Sequence, residues 1–532
     1  MMGLMQHWPL TLDRILDHAA RCHGAREIVS RDADGVVHRT DYSTTDDRAR
    51  RLSTALRALG MRSGDRIATL AWNSAAHFEA WYAIMGIGAV CHTLNPRMSV
   101  DQLAWIVDHA EDRLIVADHM FLPLVRELQA RCPTISIIMV LGDFEADGVE
   151  TADHLIAAHP PAGDWGDFEE EAACGLCYTS GTTGDPKGVL YSHRSNFLHA
   201  LTLLQRDMFA LGETDAVLPI VPMFHANAWG LVFASPAVGA KLVMPGPLLD
   251  GASLHRLIDQ ERVTFAAAVP TVWQGLLNHL ETTGETLPSL NRALIGGAAC
   301  PEWIIRALEE RHGVTVSHAW GMTELSPVGT VWAPTAATQA LPLAMRLPLR
   351  LKQGRPPLGV ELKIEAGEDA GGAGHLKVRG FAAVRAYFRQ NQPALDEQGF
   401  FDTGDIATID EYGMMEITDR DKDVIKSGGE WISSIAIENI IAAHSAVACA
   451  VVVGTDHPRW GERPLLIVKL KDGEAAESDE LLACLEGRIP RWWTPDATVI
   501  TKQLPLGATG KIDKKGLRER YRNHLTAVTA SP

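Results

Sequence analysis

Between residues 179 and 187 the sequence gathers four hydroxyls (Thr179, Ser180, Thr182, Thr183), two glycines (Gly181, Gly184) and one cation, Lys187. Hydroxyls and exposed backbone N–H groups donate to phosphate oxygens, glycine lets the backbone approach a ligand, and lysine adds a positive charge. The chemistry they suit is the grip of a triphosphate. The stretch is not a Walker A loop, because Pro186 stands where the second glycine of GxxxxGK belongs. A bland flexible turn is the competing reading, and the density of phosphate-binding residue types counts against it.

Any phosphate must be held locally, since 49 Lys and Arg against 66 Asp and Glu leave a formal charge of -17. That balance argues against general nucleic-acid binding, which needs cations to displace counterions. At 532 residues, two or three domains are expected. The composition, 46% hydrophobic and 22% charged, is that of a soluble globular chain. The longest strongly apolar run, 80–91, falls short of the roughly 18 residues of a membrane span and is expected to be a buried helix. With no secretory pattern at the N-terminus, a cytoplasmic enzyme without integral membrane contact is expected. The only close cysteine pair, Cys174 and Cys177, has CxxC spacing. No second pair or histidine pair completes a metal site, and the segment reads as a buried strand.

The elements that must position the loop are legible in the periodicity. Residues 241–317 alternate: strand 241–244, helix 253–260, strand 263–269, helix 271–280, strand 292–295, helix 301–311, strand 314–317. Pro301 suits a first helical turn and Gly313 a helix end. Earlier, Ser99 with Gln102 forms a possible capping box ahead of Leu103, Ile106, Val107 and Ala110, which share one helical face. Repeated βαβ units imply a parallel, helix-covered sheet, with ligands at the carboxyl ends of its strands. The loops 179–188, 296–300 and 318–324 should therefore converge on one site. Past 333 the alternation gives way to short strands 361–364 and 375–378 around a turn, a β segment over 400–418, and a small α+β unit. The expected fold is α/β. Residues 1–420 form a large domain of helix-covered, mainly parallel sheets plus a β subdomain, and 421–532 a small mobile α+β domain.

The stretch YTSGTTGDPKGV, 178–189, resembles the signature of the adenylate-forming superfamily of acyl-CoA synthetases, adenylation domains and luciferases. HAWGMTE (318–324), FFDTGDIATID (400–410), DRDKDVIKSGGEWIS (419–433) and LPLGATGK (504–511) follow in family order. The resemblance implies that ATP is held by Thr179, Ser180, Gly181, Thr182, Thr183, Gly184 and Lys187. Adenine would stack on Trp320, flanked by Ala319, Gly321 and Met322, with Gly297, Ala298 and Ala299 beside it. His318 would face the amino edge of adenine, or else be a satisfied core histidine. Thr323 would touch a phosphate and Glu324 hold Mg²⁺ with Thr179 nearby, in keeping with the ion's preference for hard oxygens. Asp405 would accept from both ribose hydroxyls, assisted by Arg420.

The implied reaction has two steps. A carboxylate attacks the α-phosphate of ATP to give an acyl-adenylate and pyrophosphate, and a thiol then displaces AMP. Lys511 would bridge the carboxylate and the α-phosphate in the first step. Lys422 matches the hinge of the small domain, and Lys426, Gly428, Gly429, Glu430 and Trp431 the face that meets the thiol.

For the acid, the segment PMFHANAWG, 222–230, lacks the aspartate with which amino-acid-activating relatives pair a substrate amine. The pocket of His225, Trp229, Gly230, Gly296 and Gly297 therefore suits an uncharged tail, with His225 also a catalytic candidate. Trp229 matches a gating aromatic, or is core packing. Free CoA is the expected acceptor, because no carrier-protein segment follows Lys511. Lys422, Lys426, Lys511, Lys514, Lys515 and Arg518 either offset the acidic charge near CoA's phosphates or form a solvated face. The chain is most similar to bacterial medium-chain fatty-acid CoA ligases and 3-(methylthio)propionate CoA ligases. Aryl or arylpropionate acids are the alternative, and a luciferase-like oxygenase or a non-catalytic nucleotide sensor the competing classes. The resemblance also implies a homodimer.

Overall fold

A computed structural model describes residues 3–179, 185–366, 372–428, 430–471, 473–505 and 512–525. One sheet has eight strands, in the order Val328–Val331, Thr315–Gly321, Arg292–Ile295, Phe265–Ala268, Ala216–Pro219, Lys241–Met244, Glu27–Arg31 and Val37–Asp41. Its six inner strands are parallel and the outermost pair on each side is antiparallel. A second sheet has seven: Glu150–Thr151, Ile137–Val140, Leu114–Ala117, Arg66–Leu70, Val90–Thr93, Ala173–Thr179 and Lys187–Ser192. Only its last pair is antiparallel. Strands such as Phe265–Ala268 and Leu114–Ala117 are buried along their whole length, as strands covered on both faces must be.

Helix Ala75–Gly86 lies between the two sheets and is buried from His77 to Gly86. Phe78, Trp81 and Tyr82 contribute ring surface to one continuous core, and the Tyr82 hydroxyl donates to the Val232 carbonyl at 3.1 Å. Because this helix is apolar all round, it can exist only as a filling between layers. The run 80–91 is thus not one buried helix: it breaks at Gly88, φ +73°, and its end begins the strand Val90–Thr93.

The other expectations hold with shifted ends. Ser99 and Gln102 exchange both capping-box hydrogen bonds, and Leu103, Ile106, Val107 and Ala110 are buried. Helix Gly251–Glu261 starts two residues early because the Asp250 side chain accepts from the Ser253 N–H. The expected helix 301–311 is Glu302–Arg306 followed by a π turn, Ala307–Arg311. Cys174 and Cys177 are buried thiols within Ala173–Thr179. Strands Val360–Ala366, Gly374–Gly380, Phe401–Ile409 and Met415–Arg420 form an antiparallel sheet, and the turn within 367–371 lies outside the described residues. A fourth sheet of five strands begins with Ile425–Ser427.

Candidate active site

The carboxyl ends of both parallel sheets open onto one cavity of about 840 Å³. Thr93, Thr179, Gly296 and the segment Ala319–Glu324 reach it from four strands, and Arg420, at the end of strand Met415–Arg420, closes it together with the following Asp421 and Lys422. The convergence of distant loops expected from the sequence is thus observed. Thr179, Lys187, His225, Trp229, Gly296, Gly297, Ala319, Trp320, Gly321, Met322, Thr323, Glu324, Arg420 and Lys422 all stand on its wall. Ser180, Gly181, Thr182, Thr183, Gly184, Gly429 and Lys511 lie outside the described residues.

Asp405 and Arg420 are direct cross-strand partners, which brings Arg420 Nε to 3.3 Å from Asp405 Oδ1. The other oxygen, Oδ2, accepts from the Trp320 indole N–H at 2.8 Å. The buried carboxylate therefore fixes the indole plane and the guanidinium at once. Glu324 is 7% exposed, and its Oε1 accepts from the Tyr387 hydroxyl at 2.9 Å. Burial raises its pKa above the ordinary carboxylate value, and the Tyr387 hydrogen bond opposes that shift. Lys187 Nζ sits 4.8 Å from the centre of the Tyr387 ring, a cation–π contact. Neighbouring Thr323 is anchored through its carbonyl, which accepts from the Tyr191 hydroxyl at 2.7 Å.

His318 departs from the expected adenine contact. It is 1% exposed, its Nδ1 lies 2.8 Å from the Leu351 carbonyl and its Nε2 3.5 Å from that of Ala298. Burial lowers its pKa, and the ring packs in the core beside the Leu351 carbonyl, which is the second of the two places expected for it. Ala298, Ala299 and Gly230 do not line the cavity either, Ala298 being exposed and Gly230 buried. Lys426, Gly428 and Trp431 belong to the C-terminal unit and do not line the cavity; Glu430 occupies the same strand as Trp431. Lys514 also fails as a free cation: its ammonium donates to Glu438 Oε1 at 2.7 Å and Ser434 Oγ at 2.8 Å. At Lys422, desolvation and the Arg420 charge lower the pKa.

The acyl end of the cavity is built on an unusual backbone. Ala226, Asn227, Ala228 and Trp229 have φ of 47°, 58°, 48° and 55°, and Gly230 follows at 79°. Left-handed geometry costs L-residues roughly 1–2 kcal/mol each, so the turn persists only because its surroundings fix it. Asn73 holds the segment just before it: its Nδ2 donates to the Pro219 and Val221 carbonyls at 2.8 and 2.9 Å, and its Oδ1 accepts from the Met223 N–H at 2.7 Å. Gly296 leaves room for the Trp229 ring, because a Cβ there would meet Trp229 at 3.3 Å and the Ala319 carbonyl oxygen at 3.0 Å.

Sequence reasoning missed a second wall. Trp105 stacks on His109 with centroids 4.8 Å apart, and His109 Nδ1 meets the Tyr178 hydroxyl at 2.6 Å. These residues and Phe388 line the cavity from elements far apart in the chain. Tyr178 stood within the phosphate motif without a role; Tyr387 and Asn73 carry no local signal.

The AMP-binding enzyme family matches residues 16–388, and the AMP-binding enzyme C-terminal domain matches 436–511. The chain belongs to this AMP-binding enzyme family and is an ATP-dependent, AMP-forming acyl-CoA synthetase. It is 47% identical to a 3-methylmercaptopropionyl-CoA ligase of Ruegeria pomeroyi, over 99% of this chain and 100% of the relative. It is 44% identical to a medium-chain-fatty-acid–CoA ligase of Ectopseudomonas oleovorans, over 100% of both. Among solved structures, the anthranilate CoA ligase AuaEII in complex with anthranoyl-AMP superposes with a TM-score of 0.88 at 22% identity, over 99% of this chain and 100% of that one.

Proposed function

We propose that the acid activated here has a short uncharged tail: 3-(methylthio)propionate or a short- to medium-chain fatty acid. The carrying observation is the make-up of the cavity beyond the nucleotide loops, where Leu94, Met98, Ile106, Phe224 and Trp229 supply apolar surface. The carboxylates of the described lining, Asp185, Glu324 and Asp421, belong instead to the segments assigned to nucleotide and hinge. A free acid with a second charge would be buried there without a partner, at a cost of several kcal/mol. Full-length relatives named for 3-methylmercaptopropionate and medium-chain fatty acids support the same reading.

In this account the nucleotide lies along Trp320, with its ribose at Asp405 and its phosphates between Lys187, Thr323 and the loop 179–184. The chain contributes no covalent nucleophile; it positions two reactants and offsets charge that builds between them. Glu324 and Thr179 offer hard oxygens on one wall, a donor set that fits Mg²⁺, which would neutralise phosphate charge when bound. Lys511 would act in the adenylation step. Arg518 donates to the Lys422 carbonyl and, at 3.0 Å, to that of Asp423, so the last helix braces the segment where residues 1–420 and 421–532 would pivot. The protein would work in the cytoplasm as a homodimer.

The test is the acid profile of purified enzyme with ATP, Mg²⁺ and CoA. kcat/KM should be highest among 3-(methylthio)propionate and C4 to C12 acids, and at least about 10²-fold lower for malonate or amino acids of similar length. Equal turnover of a dicarboxylate would overturn the assignment.

A further inference from the structure

Outside the cavity, helices Gly251–Glu261 and Pro270–Thr283 pack closely. Gly251 permits the approach, since a Cβ there would stand 2.4 Å from the Gly275 carbonyl oxygen and 2.8 Å from the His279 Cβ. His255 of the first helix thereby faces His279 of the second, with ring centroids 5.6 Å apart. Gly284, φ 75°, ends the second helix and turns Glu285 back toward both rings.

Three donors then meet at one point. Glu285 Oε2 is 3.0 Å from His255 Nδ1 and 3.1 Å from His279 Nε2, and the three ligand atoms all lie within 4.8 Å of one another. Donors around a tetrahedral ion with bonds of 2.0–2.1 Å stand about 3.3 Å apart, close to the two nitrogen–oxygen distances of 3.0 and 3.1 Å. The tautomer agrees. His255 Nε2 lies 3.1 Å from the Thr286 carbonyl, which can only accept, so Nε2 carries the hydrogen. That leaves Nδ1 of His255 facing the carboxylate oxygen, where either a ring proton or a bound cation can lie between them. An N–H···carbonyl contact behind a ligating nitrogen is also how metal-binding histidines are usually oriented.

We propose that His255, His279 and Glu285 form a binding site for a divalent transition ion of the zinc class, with water in the remaining position. The two imidazoles and one carboxylate suit Zn²⁺ better than Mg²⁺ or Ca²⁺, which take oxygen ligands. The ion would tie the two helices and the following turn together on the outside of the eight-stranded sheet. The site is independent of the acyl-transfer assignment.

The test is Zn²⁺ titration of the chelator-stripped full chain by calorimetry, repeated for His279→Ala, His255→Ala and Glu285→Gln, with Co²⁺ absorption as a spectroscopic readout. One ion per chain should bind in the wild type at this site, raising the melting temperature. Each variant should weaken that binding at least 10-fold and remove the intense visible bands of four-coordinate Co²⁺. Melting of the metal-free variants at the wild-type temperature would show that they are folded; if His279→Ala melts early, Glu285→Gln alone decides. Unchanged stoichiometry and affinity in the folded variants would overturn the site and leave an ordinary histidine–carboxylate cluster.

Discussion

Glu324 pays for its position with desolvation. Its folded pKa is raised by burial above the ordinary 4.5, so the native state binds the extra proton more readily than the unfolded chain. The protonated form's contribution to stability is fully present below about pH 4.5 and is lost as pH rises through the folded value. Glu324→Gln, which can still accept from Tyr387, is therefore expected to raise the melting temperature at pH 7 while lowering turnover by about 10² or more. A calorimetric scan beside an activity assay checks both signs. If Glu324 holds Mg²⁺ as proposed, Mg²⁺ dependence should steepen as pH falls, since the ion would require the ionised carboxylate. At the acyl end, Trp229→Ala would empty a site that touches Gly296. Preference should shift toward longer acids, with each methylene accommodated worth about 1–3 kcal/mol in kcat/KM; an unchanged profile over a C4 to C12 series would assign Trp229 to packing alone.

The segment 219–223 that leads into the left-handed turn 226–230 is held by a partner in another element. Asn73 sits at the start of the buried helix Ala75–Gly86, so its three hydrogen bonds join that helix to the loop beneath the acyl pocket. Asn73→Ala would leave buried backbone groups unpaired, at about 1–3 kcal/mol each. Loss of several degrees in melting temperature, with KM for the acid rising more than KM for ATP, is the expected outcome in thermal and steady-state measurements. None of this was legible in the sequence. Periodicity marks a residue's face within its own element, and so the helix bearing Leu103 and Ile106 and the strands of 241–317 could be read directly. Asn73, Tyr387 and the Trp105–His109–Tyr178 group act across the chain, and nothing nearby in sequence marks them. His318 is the converse case: its place in the motif left a ligand contact and a core role both open, and the buried ring faces two backbone carbonyls, as the core role requires.

At the scale of the molecule, two parallel sheets supply one wall each, and Arg420 closes the mouth together with Asp421 and Lys422 of a smaller unit. Among the described residues, the polar contacts that tie that unit to the body include Gln274 Nε2 to the Ala448 carbonyl at 3.0 Å and the Ser434 N–H to Asp419 at 2.7 Å. Polar contacts of this kind are compatible with the re-docking between two half-reactions that the resemblance implies. If Lys511 serves only the first, Lys511→Ala should slow adenylation by about 10² to 10³ yet convert supplied acyl-adenylate to thioester at the wild-type rate. The most direct measurement of the account is isotope exchange between pyrophosphate and ATP. With 3-(methylthio)propionate or octanoate and no CoA, exchange should proceed, and adding CoA should release AMP and acyl-CoA in equal amounts. Exchange that needs CoA, or release of ADP in place of AMP, would contradict it.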